Sequence, residues 1–165
     1  MFGTVRCLLV AILVTGLVQT PLHASAARVL GVVVQGKNAQ LNRAAVAGGT
    51  TVFAGDLLTT ESEGLLRLRL GTSQLYLLEN SAARLIAESG RLLVAVERGS
   101  LGFSLTDPAP VAVQFDDTLV RPASTGGVHG RLSALGPGEI VVSSLHGTLE
   151  VVSGSERFLV SEGSA

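Results

Sequence analysis

Between Gly64 and Leu77 the chain reads GLLRLRLGTSQLYL, and the alternation in it admits one local conformation. A helix would spread these leucines around its circumference. A strand collects them, because successive side chains point to opposite faces: Leu66, Leu68 and Leu70 share one face, and Arg67 and Arg69 share the other. Gly71-Thr72-Ser73 then supplies a tight connection, after which Leu75 and Leu77 return to the apolar face with Gln74 and Tyr76 opposite them. Two half-buried strands joined this way form a hairpin.

The same device recurs along most of the chain. Short Val- and Leu-rich segments bounded by Gly, Pro, Asn or Ser are read as strands at residues 28–36, 83–90, 91–99, 100–105, 111–115 and 118–121, near 131–134, and in IVVSSLHG, TLEVVSG and RFLVSEG. Leu92, Val94 and Val96 fall on one face of their segment, as do Leu101, Phe103 and Leu105, and Val111, Val113 and Phe115. Residues 37–49, polar and Ala-rich and ending in Gly-Gly, are read as an irregular connection. Gly55-Asp56 is read as a turn leading into a short segment, 57–60. Asp107-Pro108-Ala109-Pro110 is a break, since closely spaced prolines remove backbone donors. GLLRLRL at Gly64, GSLGFSL at Gly99 and GTLEVVS at Gly147 each begin a strand with glycine, at unequal intervals that exclude a fixed-period repeat. The expectation is an all-β fold of short stacked antiparallel strands, solenoid-like or sandwich-like, in one domain over residues 27–165.

The N-terminus is set apart from that domain. Arg6 precedes the apolar run CLLVAILVTGLV, which has signal-peptide length and is short of a bilayer span, and Ala24-Ser25-Ala26 is an A-x-A cleavage site. Residues 1–26 are read as a signal peptide cleaved after Ala26. Its removal takes away Cys7, the single cysteine, so the mature chain has no disulfide and no thiolate, and it leaves no stable membrane span. Arg6 also leaves, so 11 basic residues face 13 acidic ones with no block of either sign. A chain so balanced lacks the clustered Lys and Arg that nucleic acid or an anionic membrane surface requires. With no Trp and one Tyr, platforms for stacking bases or sugars are hard to build.

Candidate chemistry is sparse. His129 and His146 have no third ligand at metal spacing and are read as surface loop residues. Ser144, His146 and Asp117 can be written as nucleophile, base and orienter, but no GxSxG elbow frames them, and Ser144 and His146 are read as sharing a strand face. Asp116-Asp117, and Glu61 with Glu63, lack the spacing of a calcium loop. Asp56, between Gly55 and the Thr59-Thr60 pair, is read as a carboxylate that accepts backbone N–H groups and fixes a turn. No catalytic, metal or cofactor-binding residue is assigned. Arg67, Arg69 and Tyr76 form the possible partner surface.

Taken together, Val52, Gly55, Asp56, Leu58, Thr60, Gly64, Leu66, Leu68, Leu70, Gly71, Leu75, Leu77 and Ser81 carry a pattern that resembles the FecR-like domain. The elements of that pattern are an aliphatic residue, a Gly-Asp pair, a Thr, a glycine, two alternating strands around a Gly-Thr turn, and a Ser. Residues 49–81 hold the core of it, RVLGVVVQG resembles the leading strand of the family, and ERGSLGFSL and LHGTLEVVSGSERFLVSEG resemble later ones. The resemblance implies an all-β extracytoplasmic module without catalytic residues, in which Gly55, Asp56, Thr60, Gly64, Gly71 and Ser81 are mainly structural. In the regulators that name the family, this domain lies in the periplasm and relays a signal to a sigma-factor-binding region inside the cell. Here a leader stands where that cytoplasmic region would be. What carries over is a periplasmic or secreted module that acts through a protein partner in the envelope, with an envelope structural or carbohydrate-binding module as the alternative.

Overall fold

The computed structural model describes residues 28–106 and 111–165, so the leader and the break at residues 107–110 lie outside it. The described residues form strands β1 (Val29–Leu41), β2 (Ala44–Ala45), β3 (Thr51–Phe53), β4 (Leu57–Leu70), β5 (Ser73–Leu77), β6 (Ala82–Glu88) and β7 (Arg91–Arg98). They continue with β8 (Ser100–Leu105), β9 (Val111–Phe115), β10 (Thr118–Pro122), β11 (Val128–Gly136), β12 (Glu139–His146), β13 (Leu149–Ser153) and β14 (Glu156–Val160). All belong to one sheet in the order β12-β11-β8-β5-β4-β6-β7-β9-β10-β13-β14, with β1 beside β4, and β2 and β3 beside β1. The protein is all-β, and the sheet curls until it is nearly closed, in the manner of a barrel. Its two ends meet where the Ser144 N–H donates to the Ser164 carbonyl (3.0 Å) and the Gly163 N–H donates to the Ser144 carbonyl (2.8 Å).

The alternation read from the sequence sets the inside of this barrel. Leu66, Leu68, Leu75 and Leu77 are at most 1% exposed and join Leu58, Leu85, Val94, Leu101, Phe103, Val113, Leu132 and Leu149 in a single core. Each fully buried leucine contributes about 1.5–3 kcal/mol relative to exposure. Closure leaves few edges, so most backbone polar groups find ladder partners.

Strand β4 is where the sheet divides into two arms. Its first residues, Leu57–Thr59, pair with β6, and its last, Leu66–Leu70, pair with β5, while β1 runs along both parts. Residues 57–60 and 64–70 are therefore one strand rather than two. Between those parts β1 advances from Lys37 to Ala39 while β4 recedes from Leu65 to Thr60, so residues 61–64 bulge from the ladder. The chain crosses again between the arms at Gly99, from β7 to β8, and at Gly147, from β12 to β13.

These crossings account for the three glycines that begin strands in the sequence. A Cβ on Gly64 would come within 2.7 Å of the Glu61 carbonyl oxygen, one on Gly99 within 2.2 Å of Ser81 Oγ, and one on Gly147 within 3.0 Å of the Gly127 carbonyl oxygen. Gly99 and Gly147 also have positive φ, 80° and 76°. The echo in the sequence thus marks barrel corners and not the rungs of a solenoid.

Three further expectations are corrected. Residues 37–49 are an irregular connection only at 46–49: β1 continues through Leu41, turns at Asn42 and Arg43 (φ 50° and 70°) and returns as β2. The consecutive positive φ values are those of a type I′ hairpin turn, which Asn enters readily. The strands are also not all antiparallel. β7 and β9 are parallel, Leu92 to Val111 through Ala95 to Gln114, because β8 leaves for the other arm between them. Finally, the segment near 131–134 extends over the whole of β11, so His129 lies in a strand and not in a loop.

Candidate functional site

The residues of the 49–81 motif are occupied with the backbone. Gly55, at φ 94°, is the third residue of a Phe53–Asp56 turn, and its N–H donates to the Leu85 carbonyl (2.7 Å). Asp56 is buried. Its Oδ2 accepts the Phe53 N–H (2.7 Å) and its Oδ1 accepts the Asn42 side-chain amide (2.7 Å), while Asn42 Oδ1 accepts the Leu57 N–H (2.9 Å). This clamps the β1–β2 hairpin onto the turn before β4. Asn42 is the partner that the sequence did not reveal, because the two residues are joined only through the hairpin.

Thr60 and Ser81 make a second buried clamp. The Thr60 hydroxyl donates to the Leu78 carbonyl and accepts the Ser81 N–H (3.1 Å). The Ser81 hydroxyl donates to the Glu79 carbonyl (2.9 Å) and accepts the Ser100 N–H (2.8 Å). Ser81 thereby holds the β7–β8 corner, against which Gly99 packs. Gly64 lies at the β4 bulge, and Gly71, at φ 62°, turns β4 into β5.

Arg67, Arg69 and Tyr76 do face outward, and two of them meet. Arg67 stands opposite Tyr76 across β4 and β5, with its guanidinium carbon 5.5 Å from the ring centroid. Gln74 Oε1 accepts from Arg67 Nη2 (2.6 Å), Arg67 Nε (3.0 Å) and the Tyr76 hydroxyl (2.8 Å). Tyr76 pairs onward with Gly102 of β8, and Gly102 with Arg131 of β11, so a polar row crosses this arm. Arg69 stands opposite Gln74 and is exposed. The donors of Arg67 and Tyr76 are thus partly spent within the protein.

The Ser144, His146 and Asp117 trio is not assembled. The Ser144 side chain points inward, 1% exposed, and its hydroxyl donates to the Gly147 carbonyl (2.7 Å). His146 points outward, because pairing shifts from Gly130–Ser144 to His129–His146 and leaves Leu145 as the extra residue of a bulge. Ser144 and His146 therefore do not share a face. Asp117 lies in the turn between β9 and β10. Glu61 accepts from the Gln40 amide (3.1 Å), and Glu63 faces Lys37 Nζ at 3.7 Å. No group of three His, Cys, Asp or Glu side chains is arranged to hold a metal ion among the described residues.

Two features on the last strands were not legible in the sequence. Among the described residues, five of the seven exposed large hydrophobic side chains lie on β11, β12 and β14: Leu135, Val141, Leu145, Phe158 and Leu159. Val141 and Leu145 belong to β12 and Phe158 and Leu159 to β14, the two end strands of the sheet with the seam between them, and Leu135 to the neighbouring β11. Beside β14, Glu150 of β13 receives Arg121 of β10 and Arg157 of β14, the latter at 3.0 Å. The Arg121 hydrogen bond holds the Glu150 carboxyl below the usual carboxylate range against the opposing effect of burial, and the charges of Arg121 and Arg157 add to it.

Comparison of the chain with family models, with curated proteins and with solved structures gave no match.

Proposed function

We propose that this protein is a non-catalytic, extracytoplasmic FecR-like module, periplasmic or secreted, that binds a protein partner at the cell envelope. The resemblance over residues 49–81 supports the family reading, and the backbone-directed roles of Asp56, Thr60 and Ser81 accord with motif residues that build a scaffold. The observation that carries the binding function is that the sheet's two end strands expose apolar side chains, Val141 and Leu145 on β12 and Phe158 and Leu159 on β14. Isolated apolar residues on a surface need no explanation, whereas several on strands with unpaired edges form the kind of surface that protein contacts cover. The seam thus replaces Arg67, Arg69 and Tyr76 as the principal contact surface, and those three become a secondary one.

The test is a pull-down from envelope extracts with wild-type protein, a Leu145→Ser/Leu159→Ser variant and an Arg67→Ala/Tyr76→Ala variant. One envelope protein should be enriched by wild type and by the arginine–tyrosine variant, and lost from the seam variant. Recovery of peptidoglycan or polysaccharide alone would favour the envelope structural or carbohydrate-binding reading and end this one. Export is checked separately: N-terminal sequencing of the mature protein should begin at Ala27, and an intact Met1 in the membrane fraction would refute leader cleavage.

A further inference from the structure

Sequence spacing gave His129 and His146 no role, but the barrel places them in register on adjacent strands. They are Cα partners across β11 and β12, with ring centroids 5.8 Å apart and ring planes at 70°. The Leu145 bulge is what makes the pair, since simple alternation from Ser144 would turn His146 into the core. Two imidazoles bound to one ion at the usual metal–nitrogen distance of about 2.0–2.1 Å have centroids roughly 5–6.5 Å apart over tetrahedral to linear angles. The observed separation falls inside that range without rearrangement of the strands.

A third group completes the geometry. Glu162 Oε2 lies 3.1 Å from His146 Nδ1, and the same oxygen accepts the Gly147 N–H at 3.3 Å. With Nδ1 facing this carboxylate, Nε2 is the nitrogen left to meet a metal. A carboxylate behind a ligating imidazole is the usual means of fixing its tautomer and raising its basicity.

We infer that His129 and His146 form a surface site for a late first-row divalent cation such as Zn²⁺, with Glu162 orienting His146 and water filling the remaining positions. Imidazole nitrogens select such ions over Mg²⁺ or Ca²⁺, which prefer oxygen donors. Glu162 immediately precedes Gly163 and Ser164, whose backbones bond Ser144. An ion held by the pair therefore also secures the C-terminal segment that closes the barrel. The inference is independent of the partner proposed above.

The experiment is calorimetric titration of the full chain with Zn²⁺ at neutral pH, alongside thermal unfolding and the imidazole NMR signals. Expected are one Zn²⁺ per chain, shifts of the His129 and His146 ring signals, and a rise in Tm with Zn²⁺ but not with Mg²⁺. His129→Gln and His146→Gln should each weaken binding at least tenfold. Glu162→Gln should weaken binding about tenfold, as loss of an outer carboxylate does. Absence of saturable binding up to millimolar Zn²⁺, or binding unchanged in the His129→Gln/His146→Gln double variant, would overturn the site. Both side chains lie at the surface, so circular dichroism of the variants should match wild type; a binding loss accompanied by a loss of β signal would count against the site. Unchanged binding in Glu162→Gln would overturn the orienting role of the carboxylate.

Discussion

The corner built from Gly99, Ser81 and Thr60 and the seam between β12 and β14 behave as opposites. At the corner every polar group is turned inward onto the backbone, and there is no room for one added carbon. At the seam leucines, a valine and a phenylalanine stand in solvent, and the sheet's ends are joined at Ser144 by two backbone hydrogen bonds. The difference separates the part of the sequence that specifies the barrel from the part left free to contact something else. Substitutions should therefore be severe at the first and mild at the second.

The largest contrast is expected between glycines. In Gly99→Ala the new Cβ meets Ser81 at 2.2–2.7 Å in a backbone with φ 80°, combining overpacking with left-handed strain, and should cost about 3 kcal/mol or more. Gly154→Ala, at φ 56° with open space around it, should cost about 1 kcal/mol. Urea unfolding midpoints of the two variants measure this, and equal costs would show that the corner relaxes. Leucines give the next contrast. Leu75→Ala removes a side chain 1% exposed and should cost about 2–5 kcal/mol, whereas Leu159→Ala, at 66% exposure, should stay within about 0.5 kcal/mol. A destabilisation of Leu159→Ala comparable to that of Leu75→Ala would mean that the seam is packed in solution, and the binding surface would have to be sought elsewhere.

A smaller effect tests the clamp at the start of β4. Asp56→Ala leaves the Phe53 N–H and the Asn42 amide without their acceptor and should cost about 1–3 kcal/mol. Asn42→Ala should cost less. A double-mutant cycle should show coupling of about 0.5 kcal/mol or more, since the residues share one network; additive costs would mean that Asp56 acts on the turn alone.

What the sequence disclosed follows from which interactions are local. The inward leucines of β4 and β5, the outward Arg67 and Tyr76, and the turn role of Asp56 were all legible, because period-two alternation and a Gly-Asp turn are written within a few residues. Residues 37–41 were not recognised as strand because β1 is solvated where its Lys37 and Gln40 face out, and its pairing with β4 is set some twenty residues away. The parallel β7–β9 pair escaped for a related reason: parallel order depends on where β8 goes. The His129–His146 pair depends on a bulge at Leu145 that shifts the register by one residue, and no spacing rule along the chain records that shift. The seam was missed because consecutive apolar residues such as Phe158-Leu159 give no face to choose, and only closure of the sheet shows that both remain exposed.

The mildest effect concerns pH, and it distinguishes the polar neighbour of the seam from the buried clamps. Glu150 is held ionised mainly by the Arg121 hydrogen bond, so its carboxyl in the folded protein lies below its value in the unfolded chain. For a depressed carboxyl the unfolded state binds the proton first. The contribution to stability is then fully present above the unfolded value, near pH 4.3, and is lost as pH falls through the folded one. Urea midpoints of wild type and Glu150→Gln should therefore differ most at neutral pH and converge under acid, with the loss spread below about pH 4.3. Convergence on the alkaline side, or a gap independent of pH, would show that the carboxylate is not the group that Arg121 and Arg157 stabilise. Because Arg157 belongs to β14, such a result would also mean that the last strand is held by its backbone ladder with β13 alone, leaving the seam free to open from that side.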